Sequence, residues 1–400
     1  MSGRTVKVKC QVHATVEQIF YAFTNATAMR EWMCEVATVE PRLGGRFFVG
    51  WAEGYYGCGE YTLVEPGSGV GFSWLGRGEP GVSQVKVLWK PGKRVTRLTL
   101  THTASSRSPK WAPILDNFQR EWQHLLENLV SVLETGQDLR ITRRPMLGIN
   151  LSDFTAEQSA KLGVPVNEGL RLDAVVDGFG AKAAGLEKND VIVGFNEKPV
   201  VNYGDFGNFI RTHQAGDVVA IEFYRGKDKK TLPVKLSARQ IPEMPATAGE
   251  LAETLKGLYQ KVDEELVKLF EGVSEEQAGR KPAPKEWSAK EILAHIIHAE
   301  RDTTSYLNDL IAGQERVSDS YADNFPGRVA ATVVAYPTVS ALLQQLKNCE
   351  TETVAMIASI PDSFVKSRRG SFWRIAYQLV DIPEHTRLHF PLIREAITAG

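Results

Sequence analysis

Three histidines in the last third of the chain have the type and spacing for metal chemistry. His385 and His389 stand four positions apart, so on a helix they project from one face. Leu388 and Leu392 fall on that face, which predicts that both imidazoles turn toward a hydrophobic interior. His295 lies in an earlier helical segment, with Ile292 and Ala299 on its own face, and is also expected to point inward. Three imidazoles from two helices offer nitrogen donors to a divalent metal, zinc or nickel above all. They leave a position for water or substrate. His298, one turn beyond His295, is open to three readings: a supporting group behind the ligands, an alternative metal ligand, or an exposed side chain.

Four helical patterns must position these residues. The first covers 249–270 and carries Leu251, Leu255, Leu258, Val262, Leu266 and Leu269 on one face. The second starts at Ser288, where SAKE is a capping box with Glu291 at its fourth position; Trp287 and Ile292 complete a hydrophobic staple. The third covers 339–360 and the last 371–397. Four such patterns with loops between them predict an antiparallel four-helix bundle. Pro383 and Pro391 bracket the histidine pair, so the last helix is expected to restart near Pro383 or to bend at the site. Glu300 and Arg301 are the nearest acid and base candidates, and surface charges otherwise.

The segments EWSAKEILAHIIHAERD and EHTRLHFPLIREAI resemble the two signature segments of the DinB-like bundle family. That resemblance implies a metal triad of His295, His385 and His389. Relatives of this type include metal-dependent thiol transferases, in which the cation lowers a thiol's pKa and presents thiolate to an electrophile.

The 400 residues are 43% hydrophobic and 24% charged, as in ordinary globular proteins, and the formal net charge is -1. That balance argues against nucleic acid as a partner, which needs a basic excess or stripe. Cys10, Cys34, Cys58 and Cys349 are scattered without paired spacing, which predicts free thiols in a reducing compartment. The first residues lack the apolar stretch of a signal peptide, and no run is long enough for a membrane span. A cytoplasmic location is expected. Polar, proline-bearing stretches at 135–145 and 239–249 read as linkers. They divide a multidomain α+β chain into modules at 1–138, 143–238 and 247–400.

In the first module, residues 5–13 alternate, with Val6, Val8, Cys10 and Val12 on one side. Thr15 and Gln18 form a capping box before a helix bearing Ile19, Phe20 and Phe23. Strands separated by Gly44-Gly45, Pro66-Gly67 and Pro91-Gly92 follow, then an amphipathic helix over 111–134. This order predicts a helix-grip fold. The segments VKVKCQVHATVEQIFYAFTNATAMREWM, PRLGGRFF and EWQHLLENLVSVLETG resemble the START-like (SRPBCC) superfamily, within it the activator type for a heat-shock-protein ATPase. In such a fold the gap between helix and sheet can hold a small apolar ligand. Trp32, Trp51, Phe72, Trp74 and Trp89 would line it, with Phe118 and Trp122 from the helix. The same rings could instead fill a solid core.

The middle module contains MLGINL, GLRLDAVVDG and AGLEKNDVIVGFN, and closely resembles a PDZ domain, β-barrel-like, in the bacterial arrangement. Asn189 stands where the family has glycine. The resemblance implies that a C-terminal peptide adds as a strand beside Leu147, Gly148 and Ile149, with Phe206, Phe209 and Ile210 completing an apolar pocket. A groove sealed by a neighbouring module is the other reading. The combined expectation is a multidomain binding or adaptor protein. A metal-dependent thiol transferase and a co-chaperone-like regulator are the alternatives.

Overall fold

The computed structural model describes residues 4–104, 106, 108–284, 286–314 and 326–398. They form two compact units. One joins the chain up to Gln137 with the chain from Glu243 onward; the other is Asp138–Pro242. The first and third modules of the sequence therefore share one unit.

The helix-grip part opens with β1 (Thr5–Val12), α1 (Val16–Thr24) and α2 (Ala26–Trp32). Six strands follow: β2 (Val36–Val39), β3 (Arg46–Gly50), β4 (Tyr56–Glu65), β5 (Gly69–Gly76), β6 (Ser83–Pro91) and β7 (Thr96–Ala104). They build one antiparallel sheet in the order β1-β7-β6-β5-β4-β3-β2, packed against α3 (Trp111–Thr135). Thr15 and Gln18 form the capping box of α1, as their spacing predicts.

The rings expected to line a ligand cavity fill that space with one another. Phe72 stacks on Phe47 at 4.1 Å between centroids, and Phe118 stacks on His102 at 4.2 Å. Trp74 meets Trp122 edge-on at 6.0 Å. Phe23 lies between Trp32 and Trp89, at 5.0 and 6.5 Å. Trp51, half-buried at the rim, donates its indole N–H to the Met33 carbonyl at 2.8 Å. Aromatic pairs of this kind gain about 0.5–1.5 kcal/mol beyond area burial, which favours ring-to-ring closure over a void. The expectation of an open ring-lined cavity is corrected accordingly.

The second unit contains α4 (Leu139–Thr142), β8 (Ile149–Asp153), α5 (Ala156–Leu162), β9 (Leu170–Val175) and α6 (Gly180–Ala184). Then come β10 (Val191–Phe195), β11 (Lys198–Pro199), α7 (Tyr203–Arg211), β12 (Val218–Arg225) and β13 (Asp228–Lys235). The sheet runs β13-β12-β10-β9-β8, with β11 paired to β10. Asn189 has φ 73°, the left-handed conformation that asparagine tolerates best after glycine. That explains how it stands in for the glycine. Beside it, the buried Asp190 carboxylate accepts two bonds from Arg225 at 2.8 Å.

The rest of the first unit is helical. It comprises α8 (Ala248–Leu269), α9 (Glu275–Gly279), α10 (Ala289–Ala312) and α11 (Pro326–Ala335). It continues with α12 (Val339–Ala358), α13 (Asp362–Ser367), α14 (Arg369–Leu388) and α15 (Phe390–Thr398). The long helices α8, α10, α12 and α14 make the bundle. The last predicted helix is two. Its break falls at His389, neither at Pro383, which α14 runs through, nor at Pro391. Pro391 lies in the first turn of α15, where a missing N–H leaves no helical bond unmade.

Candidate metal centre

Ser288 starts α10 through a reciprocal capping box: its hydroxyl accepts from the Glu291 N–H at 3.2 Å, and its own N–H donates to Glu291 at 2.9 Å. That fixes the phase of the helix, and His295 follows at its second turn with the Trp287 ring 5.1 Å away. His385 occupies the last turn of α14. His389 is both the end of α14 and the start of α15: its N–H donates to the Thr386 carbonyl and its carbonyl accepts from Ile393. Arg387, between the two histidines, holds the Glu265 carboxylate on α8 through two bonds of 2.9 Å. The last turn of α14 is thereby tied down beside the site.

The three imidazoles converge. Ring centroids are 4.8 Å apart for His295–His389 and His385–His389, and 5.5 Å for His295–His385. One ring nitrogen from each lies within 4.8 Å of the other two. The Nε2 atoms of His385 and His389 are 3.3 Å apart. A tetrahedral cation about 2.0–2.1 Å from each nitrogen would set two donors about 3.3 Å apart, so this edge already has the required length. Burial lowers the pKa of His385. Burial, then the neighbouring His385 and His295, push His389 down to about 4. Both shifts favour the neutral ring, the form that binds a metal. Nδ1 of His389 is buried without a hydrogen-bond partner.

The orientation argument from the leucines is corrected. Leu388 is 65% exposed and Leu392 49% exposed. The buried stripe passes instead through Leu379, Pro383, Thr386, Phe390 and Ile393, and the histidines sit half-buried at its edge. Of the three readings of His298, the exposed one is corrected. The side chain is buried, and its Nε2 donates to the Arg328 carbonyl at 3.2 Å and meets Thr332 Oγ1 at 2.9 Å, on α11. Its Nε2 is thus engaged with α11, and the cluster of converging ring nitrogens is formed by His295, His385 and His389.

Glu300 is not a partner of the triad. It belongs to a buried polar layer between α8, α10 and α12, where its carboxylate accepts from Tyr259 and Thr353, each at 2.7 Å. Burial raises the pKa of Glu300 and of Asp263, and burial, then the charges of Asp263 and Glu300, push Glu350 up to about 10. Only Glu300 of this layer drew attention in the sequence. Tyr259 is in phase with Leu255, Val262 and Leu266, a helical signal that pointed to it. His102 was likewise missed, although it alternates in phase with Leu98 and Leu100 on β7. Its Nδ1 accepts from Trp122 at 3.0 Å and its Nε2 faces Ser83 at 2.7 Å, and burial lowers its pKa to about 3.

In the second unit the residues expected to line a peptide groove divide. Leu147, Phe206 and Ile210 are in the core; Ile149 and Phe209 are partly exposed against it. Gly148 has φ 77°, and its carbonyl and that of Leu147 accept from Val176 and Ala181. β8 is the terminal strand of its sheet.

Family models match in the order of the three modules. Residues 13–134 match the Activator of Hsp90 ATPase homolog 1-like protein model, 145–236 the PDZ domain model, and 258–393 the DinB superfamily model. The chain thus combines a START-like, a PDZ and a DinB-like module. Among curated relatives, the serine protease Do-like HtrA of Lactococcus lactis subsp. cremoris is 34% identical over 115 residues, 28% of each chain. The periplasmic pH-dependent serine endoprotease DegQ of Escherichia coli is 28% identical over 115 residues, 29% of this chain and 25% of its own. The chain therefore spans less than a third of the length of these relatives. Among solved structures, a protein from Mesorhizobium loti is 24% identical, covers 33% of this chain and 97% of its own, and has a TM-score of 0.30. An HSP90 activator from Plasmodium falciparum is 26% identical, with coverages of 33% and 96% and a TM-score of 0.28. The HtrA3 PDZ domain bound to a phage-derived ligand is 19% identical, with coverages of 24% and 86% and a TM-score of 0.21.

Proposed function

We propose that this chain is a multidomain binding protein whose bundle holds one divalent metal, zinc or nickel, through His295, His385 and His389. The observation that carries this reading is the convergence of three ring nitrogens within 4.8 Å, drawn from two helices and the break after one of them. Three imidazoles are a borderline donor set, suited to zinc or nickel rather than to calcium or magnesium. The PDZ module gives the protein a site for a hydrophobic C-terminal peptide along β8, and the START-like module, its interior filled by aromatic rings, a docking role. A cytoplasmic location is part of the same reading, supported by four free cysteines. The decisive experiment is elemental analysis and zinc titration of the purified full chain. About one equivalent of metal, lost on His389→Ala, is the expected result; no tight binding in the intact chain rejects the reading.

A second reading, metal-dependent thiol transfer, draws on the half-buried position of His385 and His389, which leaves the cluster open to a thiol. The metal would lower the thiol's pKa, and the histidines would hold the cation. A cobalt-loaded sample whose visible spectrum shifts on adding a low-molecular-weight thiol supports it. An unchanged spectrum leaves the binding role alone. A co-chaperone-like role draws on the family match over 13–134 and is tested by ATPase assays with a purified heat-shock ATPase.

A further inference from the structure

Both helices that carry the triad end, at their far ends, on one corner of the START-like module. α10 closes with Gly313 in the left-handed conformation, and the Gly313 carbonyl accepts from the Asn25 side chain at 3.2 Å. Asn25 is itself the cap between α1 and α2. α14 begins at Arg369 with no side-chain cap from its own neighbouring residues. There the buried Glu31 carboxylate of α2 accepts from the Ser371 hydroxyl. A carboxylate suits the positive end of a helix dipole, and here it comes from another module. The fit is close: a Cβ at Gly370 would stand 2.3 Å from Glu31 Oε2 and 2.7 Å from Val132. Around this corner Arg369 donates to the Glu134 carbonyl, and the Arg368 guanidinium lies 3.0 Å above the Tyr21 ring.

The triad joins the other ends of the same two helices. From Ser371 to His385, and from His295 to Gly313, the helices run roughly 20–27 Å at 1.5 Å per residue. Each helix is therefore held twice, once by the imidazole cluster and once by the Asn25–Glu31 corner. Arg374 on α14 also reaches Tyr306 on α10 at 2.9 Å, joining them between the two clamps.

We infer that Asn25 and Glu31 are positioning residues for the metal centre: by fixing α10 and α14 at their far ends, the START-like module sets the spacing of His295 from His385 and His389. The inference rests on the metal reading above for its ligand, but the geometry it asserts belongs to the helices themselves. A helix pair released at one end can splay or slide at the other. A site built from two helices loses affinity when its donors are no longer held within a fraction of an ångström.

The test uses the full chain. Zinc affinity is measured by competition with a chromophoric chelator for the unaltered protein, Asn25→Ala, Glu31→Ala and Glu31→Gln. Glutamine still accepts from Ser371 and serves as the rescue. Amide exchange is followed in the metal-free proteins over 290–300 and 380–390. The expected result is zinc binding about tenfold weaker in Asn25→Ala and in Glu31→Ala, restored in Glu31→Gln, the scale seen when support behind a ligand is removed. Faster exchange at the triad end should accompany the loss. Melting curves identify any variant that fails to fold, and Asn25→Ala, which removes the bond to the Gly313 carbonyl and the cap on the Ala28 N–H but leaves the Glu31–Ser371 bond in place, serves as the second, independent probe. Unchanged affinity and unchanged exchange in folded Asn25→Ala and Glu31→Ala overturn the inference. Should the unaltered protein bind no zinc, the metal reading falls. Exchange at 290–300 and 380–390 then decides alone whether the corner positions the histidines.

Discussion

Nε2 of His385 and Nε2 of His389 stand 3.3 Å apart although the helix that carries the first ends at the second. The break does not scatter the pair, because His389 keeps right-handed helical backbone angles and its N–H still bonds one turn back. Beyond the break α15 resumes at Phe390 and packs Phe390, Ile393 and Ala396 into the bundle core, while the two rings stay together. Removing either ring should therefore abolish most of the binding. His385→Ala and His389→Ala are each expected to weaken zinc by at least about a hundredfold, read by chelator competition. Retention of full affinity in either variant would remove that residue from the ligand set.

His298→Ala separates a ligand from a structural histidine. Its ring bonds to α11, so zinc affinity should stay within about twofold. Stability should fall by about 1–3 kcal/mol, the usual consequence of a lost buried bond, as Thr332 and the Arg328 carbonyl lose their partner. Urea unfolding and zinc competition on the same sample check both halves. A large loss of affinity without a loss of stability would return His298 to the metal.

The buried acid layer makes stability depend on pH in a definite direction. In the folded bundle Glu350 is pushed up to about 10, above the value of about 4.3 for an unfolded glutamate. Below that lower value both states are protonated and the contribution is complete. As pH rises toward 10 the unfolded chain releases this proton and the folded chain keeps it, so stability is lost progressively, at most about 1.4 kcal/mol per pH unit. Glu350→Gln removes the dependence. It should raise the melting temperature more at about pH 8.5 than at about pH 5. An equal shift at both would mean that Glu350 ionises normally in the fold.

The aromatic core of the START-like module gives a stability test. Phe72 is fully buried, stacked on Phe47 and edge-on to Tyr61 at 6.2 Å. Phe72→Ala should cost about 3–5 kcal/mol in urea unfolding, because the interlocked rings around it cannot collapse into the gap. A cost below about 1 kcal/mol would show that space was already present there.

Much of this architecture is written locally. The alternation of Val6, Val8 and Val12 appears as buried residues on β1, and the Ser288–Glu291 box starts α10 where its spacing says. The Thr247–Glu250 box that starts α8 was equally legible but was passed over for Gly249. What local pattern does not encode is pairing across the chain. Glu31 and Ser371 are 340 positions apart, and neither type nor spacing announces that one meets the other. Leu388 and Leu392 misled for a related reason. Helical phase relates residues to one another, and tertiary packing decides which phase is buried; here the stripe through Thr386 and Phe390 won.

The PDZ module offers a test at a single backbone position. Gly148 adopts φ 77°, a region that side-chain-bearing residues enter at a cost of about 1–3 kcal/mol. Space is also closed: a Cβ would lie 2.1 Å from Cβ of Phe179, an atom that moves only with its backbone. Gly148→Ala must therefore shift either the Leu147–Ile149 turn or the segment leading into α6. Both are tied to each other, since the Leu147 carbonyl accepts from Ala181 at 3.0 Å and the Gly148 carbonyl from Val176 at 2.9 Å. Stability of the second unit should fall by about 2–4 kcal/mol, combining conformational strain with overpacking. Amide exchange should quicken in β8 and β9 and stay unchanged in α10 and α14, which belong to the other unit. A hydrophobic C-terminal peptide that pairs with β8 should lose at least about tenfold in affinity, measured by fluorescence anisotropy at a temperature where the variant is still folded. An alanine variant with unaltered exchange and unaltered peptide affinity would show that the turn relaxes without consequence, and that neither the left-handed glycine nor its contact with Phe179 sets the geometry of the β8 edge.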